Sequence, residues 1–448
     1  MIGLRVIGPE GSKATFFPDS FREQELPTPA EVSVRPGYIY HFRLANLPQG
    51  KDAVIYPTVE VIGALQLPPP CCARNYPLPI VISEDDVDRV LAGAYITKLI
   101  VLEHPDRAVP VASEKDRPME TKVHPHRNLL EEGWLVGRPM AVVRIGGRQP
   151  EPMELHAKAI PGTMLLKGEQ FLGVPALPPC VPYRWFRVTD PYHGLRYPEE
   201  ECLKDGGDVP PRANFDKDGQ LVGLDPKDTL AEYTNSTGAR HISVSNRVCV
   251  CVPRYLVVRT EIAPEGVDMA LGPTHAFMAE GGVVLRDRVP PLLTQQVEGP
   301  ELLKNHERPQ VTQEAITPIT YEQWLSTGLA VGEIGPKVTV ATCAKKCEPP
   351  DQPLLLCKSV DCHCTEIGQV VTFMLKYANP GGQPIRNIVV SDSLTGRLEY
   401  VPGSAKSDRD AVLTTQENEA GSLILRWQLN GDLPPGQGGV ITFQAKIR

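Results

Sequence analysis

Cysteine is the residue through which this chain offers most of its chemistry. The thiols fall as Cys71-Cys72, Cys180, Cys202, Cys249-x-Cys251 and then Cys343, Cys347, Cys357, Cys362 and Cys364. Residues i and i+2 of a strand share a face about 7 Å apart, too far for easy bridging, so Cys249 and Cys251 should reach separate partners. The same holds for Cys362 and Cys364 if that segment is extended. Adjacent Cys71 and Cys72 would point to opposite sides of a strand, again favouring distinct partners. Connectivity does not follow from spacing, but the odd total of eleven requires at least one free or intermolecular thiol. Two other readings compete with disulfides. Reduced structural thiols are one. Zinc held by the cluster from Cys343 to Cys364, with His363, is the other, although paired C-x2–4-C knuckles are missing.

A second constellation runs from Asn214 to Asp225. It places oxygen ligands at loop positions 1, 3, 5 and 12 through Asn214, Asp216, Asp218 and Asp225, with Gly219 at position 6, as calcium loops do. Its flanks carry proline rather than amphipathic helices, and Asp-Lys-Asp-Gly is equally an Asx-turn. Calcium is therefore the one cofactor for which the sequence offers a loop. The histidines, among them His124, His126, His193, His241 and His275, stand in polar or proline-bearing surroundings that suit solvated side chains. A nucleophile elbow, Walker loop, zincin motif, dinucleotide fingerprint and haem attachment motif are all absent from the sequence. The pattern names no catalytic residue.

The elements that must position these residues are mainly β. Short strands are predicted at Leu4 to Ile7, Lys13 to Phe17, Tyr38 to Leu44, Val54 to Ile62, Pro79 to Ile82, Ile96 to Leu102 and Met140 to Ile145, punctuated by proline and glycine. One helix is predicted after Ser83, which supplies an N-cap ahead of Glu84, Asp85 and Asp86, with Val87, Val90 and Leu91 on an apolar face. These make residues 1–148 a β-sandwich. Prolines crowd residues 149–182, a connector. Residues 183–262 read as a small β-rich region, and 263–336 as an extended tether with a short helix near Tyr321 to Leu325. The charged run from Glu114 to Glu120 reads as a solvated loop.

Residues 337–448 form the clearest unit. Val371, Phe373, Leu375 and Tyr377 alternate onto one strand face and should enter a core, with Trp427 as an anchor between Leu425 and Leu429. Further strands are predicted at Ile385 to Ser391, Leu423 to Leu429 and Val440 to Ile447. The series Tyr377-Ala378-Asn379-Pro380-Gly381, Ile388 to Leu394 and Leu398-Glu399-Tyr400-Val401-Pro402-Gly403-Ser404 resembles the conserved-repeat domain of bacterial and archaeal surface proteins, a family that includes the large cysteine-rich envelope proteins of chlamydiae. The resemblance implies an immunoglobulin-like sandwich serving as a stalk, lattice or adhesive module, with no catalytic residues. The preceding residues resemble hypothetical signal-peptide-bearing proteins of planctomycete envelopes, around Tyr56 to Glu60 and Ser245 to Arg254, which implies envelope association. One copy of the repeat is present, so length comes from different domains.

Composition narrows the function further. Forty-six lysines and arginines against 54 acids give a net charge of −8, with no basic block to hold nucleic acid through its phosphates. No apolar stretch reaches the roughly 18 residues a membrane helix needs. The N-terminus lacks the n- and h-regions of a signal peptide, yet the cysteines suit an oxidising compartment, which is reconciled if this is a processed form. The expectation is a secreted or periplasmic scaffold of the cell envelope that associates with itself and with neighbouring envelope proteins as a homo-oligomer. The alternatives are an envelope glycan- or protein-binding module with Tyr183, Trp185 and Tyr192 as a platform, and a hydrolase.

Overall fold

The structure, a computed structural model, describes residues 1–169 (except 51, 52, 66, 69 and 70), 202–262 and 354–448. These residues build two β-sandwiches within one compact unit. The first packs a four-stranded sheet, in the order Met164–Leu166, Ala30–Val34, Ile2–Ile7 and Leu78–Val81, against an eight-stranded one. The long sheet runs Arg22–Pro27, Lys13–Asp19, Ile39–Ala45, Thr58–Val61, Gly137–Ile145, Tyr95–Glu103, Tyr255–Ile262 and Met119–Lys122. Alternation explains the pairing of faces: Ala30, Val32 and Val34 are buried while Glu31 and Ser33 turn outward, and Tyr40, Phe42 and Leu44 enter the same core.

The predicted helix spans Glu84–Leu91. Ser83 Oγ accepts from the Asp86 amide while Asp86 accepts from the Ser83 amide, a reciprocal capping box. Val87 and Val90 join the first core, but Leu91 points toward solvent. Two more short helices, Leu129–Val136 and Pro152–Lys158, accompany it. The first is capped by Asn128, whose Oδ1 accepts from the Leu130 amide, and the second opens on a proline at its first turn. Proline density in 149–182 thus conceals a helix and the edge strand Met164–Leu166, whose few residues pair with Ala30–Val34.

The second sandwich faces the sheet Arg240–Val244, Thr229–Thr234, Arg386–Ser393, Leu423–Leu429 and Ala411–Glu417 against Leu355–Val360, Val370–Ala378, Gly438–Ile447 and Leu398–Tyr400, with Lys406–Ser407 also pairing to Gly438–Ile447. Val371, Phe373, Leu375, Tyr377 and Trp427 are all within its core. Residues 183–262 are not an independent region in their described part, and this corrects the sequence reading. Thr229–Thr234 pairs with Arg386–Ser393 of the second sandwich, whereas Tyr255–Ile262 pairs with Tyr95–Glu103 of the first. Strand pairing over such separations leaves no local sequence signal, because each strand satisfies its own alternation wherever its partner lies.

Residues 114–118 form a largely exposed turn, as a solvated loop would, but the end of the charged run enters a strand. Met119–Lys122 forms a parallel edge strand, Asp116 pairs with Arg5 at 2.8 Å, and Lys115 pairs with Glu366 at 3.0 Å. The proline-rich tether, its predicted helix near Tyr321, and Tyr183, Trp185, Tyr192, His193 and His275 lie outside the described residues.

Candidate functional site

Cysteines concentrate where the two sandwiches meet. The ribbon of Cys202–Asp205 and Val248–Cys251 runs antiparallel, with Cys202 directly opposite Cys251, and these two form a disulfide. Cys71 forms a second disulfide with Cys364, 293 residues away, and so ties the first sandwich to the second. Backbone bonds lace the same place: the Cys251 amide donates to the His363 carbonyl at 2.6 Å, and the Thr365 amide donates to the Cys251 carbonyl at 3.1 Å. Tyr76 adds its hydroxyl to the Cys251 carbonyl at 3.2 Å. The oxidised cysteines are thus held by register and not by their own bonds alone.

Neighbouring cysteines take different fates, although of these only Cys249 and Cys251 lie in a strand. Cys71 is bridged while Cys72 is an exposed thiol; Cys364 is bridged while Cys362 is exposed and directs its thiol to the Cys364 carbonyl. Cys251 pairs with Cys202, and Cys249 is also disulfide-bonded. The Cys71 partner was not foreseeable, since nothing in the spacing links two segments so distant. Cys180, Cys343 and Cys347 lie outside the described residues. Among the described residues no group of three His, Cys, Asp or Glu side chains converges as a metal site.

That finding corrects the calcium reading of Asn214, Asp216, Asp218 and Asp225. Asn214–Phe215 and Leu221–Val222 form a two-stranded hairpin. The Asp216 carboxylate turns back on its own loop, accepting from the Asp218 amide at 2.9 Å and the Gln220 amide at 2.7 Å. Asp225 is drawn instead toward Arg212 at 3.6 Å, and its amide donates to Asp228. The loop is an Asx-turn whose ligands are not gathered. Arg240 closes it by stacking on the Phe215 ring at 4.4 Å.

Three sets of buried charges accompany the cysteines, and the sequence reading missed them. Glu103 and Arg254 form a fully buried bidentate pair, at 2.5 and 2.7 Å. Arg254 also donates to the carbonyls of Val109 and Val111. Arg397, buried beside it, donates to the Val252 carbonyl at 2.7 Å, and burial pulls its pKa down to about 10, with Arg254 adding to the effect. In the first sandwich Asp86 receives Lys98 on one oxygen and Arg259 on the other, each at 2.6 Å, and Glu120 and Glu261 complete the cluster.

The third set lies in the second core. Lys358 is fully buried and its Nζ lies 2.7 Å from both oxygens of Asp392 and 2.9 Å from Asp205 Oδ2. Thr229 accepts from the same amine at 3.1 Å and donates to Asp392 at 2.9 Å. Phe373 and Phe443 flank the amine, with ring centres at 4.9 and 5.9 Å. Burial, followed by the charge of Asp392, pushes the Asp205 carboxyl up to about 6 against the pull of Lys358. A signal for this site was present: Lys358 alternates with Leu356 and Val360, and Asp392 with Ile388 and Val390, so each places a charge where period two demands an apolar side chain.

Comparison with known proteins adds little. No family model matches the chain, and no curated protein matches it either. A solved structure described as a membrane anchored protein from Corynebacterium diphtheriae aligns over 97% of this chain and 87% of its own length, at 7% identity and a TM-score of 0.19. Likeness at that level carries no argument about fold or function.

Proposed function

We propose that this protein is a structural component of a cell envelope, in which two sandwiches locked into one rigid body serve as a scaffold for self-association and for contacts with neighbouring envelope proteins. The observation that carries this reading is the Cys71–Cys364 disulfide, which fastens the two sandwiches across 293 residues. Disulfides persist in oxidising compartments, and a covalent fastening between sandwiches resists mechanical separation in a way that packing alone does not. The resemblance of the final sandwich to the conserved-repeat domain of surface proteins supports the same reading. No helix among the described residues is long and apolar enough to cross a membrane.

Cys72 and Cys362 are exposed thiols, one residue from Cys71 and two from Cys364 respectively. They are suited to extend the bridge from one copy to the next. Cells harvested into alkylating agent and run without reductant should yield disulfide-linked multimers that collapse when reduced. The pair of substitutions Cys72→Ser and Cys362→Ser should abolish the ladder while leaving the Cys71–Cys364 peptide intact in digests. Native material that is monomeric without reductant, with Cys71 and Cys364 both alkylated, would overturn the proposal.

A further inference from the structure

A lysine and two aspartates in an apolar core are hard to explain as a stabilising device. Taking three charges out of water costs more than their attraction commonly returns, and apolar residues of similar volume would hold such a core as well or better. The Asp86 cluster shows what a structural solution looks like in the same molecule: Lys98 and Arg259 divide the oxygens of Asp86, and the part-exposed Glu120 and Glu261 complete the cluster and open it to solvent. The Lys358 site differs in each respect. One cation faces two carboxylates, all three side chains are fully buried, and the amine addresses both oxygens of a single carboxylate. Oδ1 of Asp205 has no hydrogen-bond partner.

We propose that Lys358 and Asp392 become joined by an intramolecular amide bond, through condensation of the lysine amine with the aspartate side-chain carboxyl and with Asp205 as proton relay. Equal distances of 2.7 Å to the two oxygens place Nζ on the bisector of the carboxylate, about 3 Å from Cγ when it lies in the carboxyl plane, so that a rotation of the Asp392 carboxyl presents the face of Cγ to the amine. Asp205, already biased toward protonation by burial, takes a proton from the ammonium and leaves a neutral amine. The nitrogen lone pair attacks Cγ of Asp392, forming the N–C bond. The Thr229 hydroxyl, donating to Asp392 Oδ1, stabilises the negative charge that develops there. Asp205 then returns its proton to the other carboxyl oxygen, takes a second from the nitrogen and passes it to the same oxygen as that Cγ–O bond breaks, so that water departs. The three hydrogens of the ammonium end as one on the amide and two in water, the paired charges cancel, and Asp205 regains its starting state. No oxidant, metal or cofactor enters. Phe373 and Phe443 wall the amine from solvent, which opposes hydrolysis of the product.

The bond would join the edge strand Leu355–Val360 of one sheet to Arg386–Ser393 of the facing sheet, so that the second sandwich could not be pulled open. This goes beyond the envelope reading and can hold or fail without it. Its test is the mass of the intact full-length protein after complete reduction and alkylation. The expected mass falls short of the sequence by one water, trypsin fails to cut after Lys358, and a branched peptide joins Cys347–Lys376 to Asn387–Arg397. Asp205→Ala should restore the full mass in a protein whose circular dichroism still reports the sandwich, and Lys358→Met should do so whether or not that variant folds. A wild-type protein of full mass that trypsin cleaves after Lys358 would overturn the proposal. So would a branched peptide containing Asp205 in place of Asp392, or an Asp205→Ala variant that still loses water.

Discussion

Asp228 shows how a single side chain can make stability depend on pH. It is fully buried next to the second core; its Oδ2 accepts from the Asp225 amide at 2.8 Å, and its Oδ1 has no partner. Burial, helped by the negative charges of Asp208 and Asp225, pushes its pKa from 3.8 up to about 7. The folded state therefore binds this proton more tightly than the unfolded chain does. Its contribution is fully present below the unfolded value and is lost as pH rises through about 7. Asp228→Asn, which removes the charge and keeps an acceptor, should melt progressively higher relative to wild type between about pH 4 and about pH 8. Thermal melts across that range check the sign, and a constant difference would show that Asp228 titrates as an exposed carboxylate does. None of this was legible in the sequence. Asp228 stands in Leu224-Asp225-Pro226-Lys227-Asp228, which reads as an ordinary polar turn until Thr229–Thr234 is seen to enter a sheet with Arg386–Ser393.

At the scale of elements, local rules were legible and long-range ones were not. Ser83 announced its helix because an N-cap hydroxyl followed by acids satisfies amides that would otherwise lack partners. What the rule did not reveal is that Asp86, the reciprocal half of that capping box, is also the anion for Lys98 and Arg259. The two roles separate by size. Ser83→Ala should cost about 1 kcal/mol, the usual loss of a cap. Asp86→Ala should cost about 3–5 kcal/mol, because it takes the one fully buried counter-charge from two buried cations and leaves them only the part-exposed Glu120 and Glu261. Denaturant titrations of both variants check this, and equal losses would reduce Asp86 to a cap. The alternation of Val371, Phe373, Leu375 and Tyr377 was legible for a similar reason, since a strand with one wet and one dry face writes its period into its residues. Phe373, fully buried and stacked on Phe443 at 5.3 Å, should lose about 3–5 kcal/mol on truncation to alanine. Lys358 and Asp392 escaped because a charge on an inward face looks like an error of period until its partners, one of them 153 residues distant, are known.

For the whole molecule, topology makes the two sandwiches interdependent. The chain leaves the first sandwich after Met164–Leu166, contributes Thr229–Thr234 and Arg240–Val244 to the second, returns Tyr255–Ile262 to the first, and comes back with Leu355–Val360. Neither sandwich is therefore a contiguous segment. The Cys71–Cys364 bridge closes a loop across both, so Cys71→Ser should lower stability by about 2–5 kcal/mol, measured against wild type under oxidising conditions. The sharper consequence concerns the last residues alone. A fragment of residues 354–448 holds every motif by which that domain resembles a surface-repeat module, yet it lacks the two strands that complete one of its sheets. Arg386–Ser393 would become a bare edge with Val390 and Ile388 behind it, and unpaired edges of that kind recruit other chains. Lys358 would keep Asp392 but lose Asp205 and Thr229, leaving a buried site without the groups that share its proton. The fragment should consequently be aggregated or lack the near-ultraviolet dichroism of a packed Trp427. A polypeptide in which residues 202–252 are joined to 354–448 restores the missing sheet strands, the Cys202–Cys251 ribbon and the Lys358 partners, and should recover a cooperative melt. A fragment of 354–448 that is monomeric and melts cooperatively by itself would show that the borrowed strands are an accessory to the second sandwich and not part of its fold.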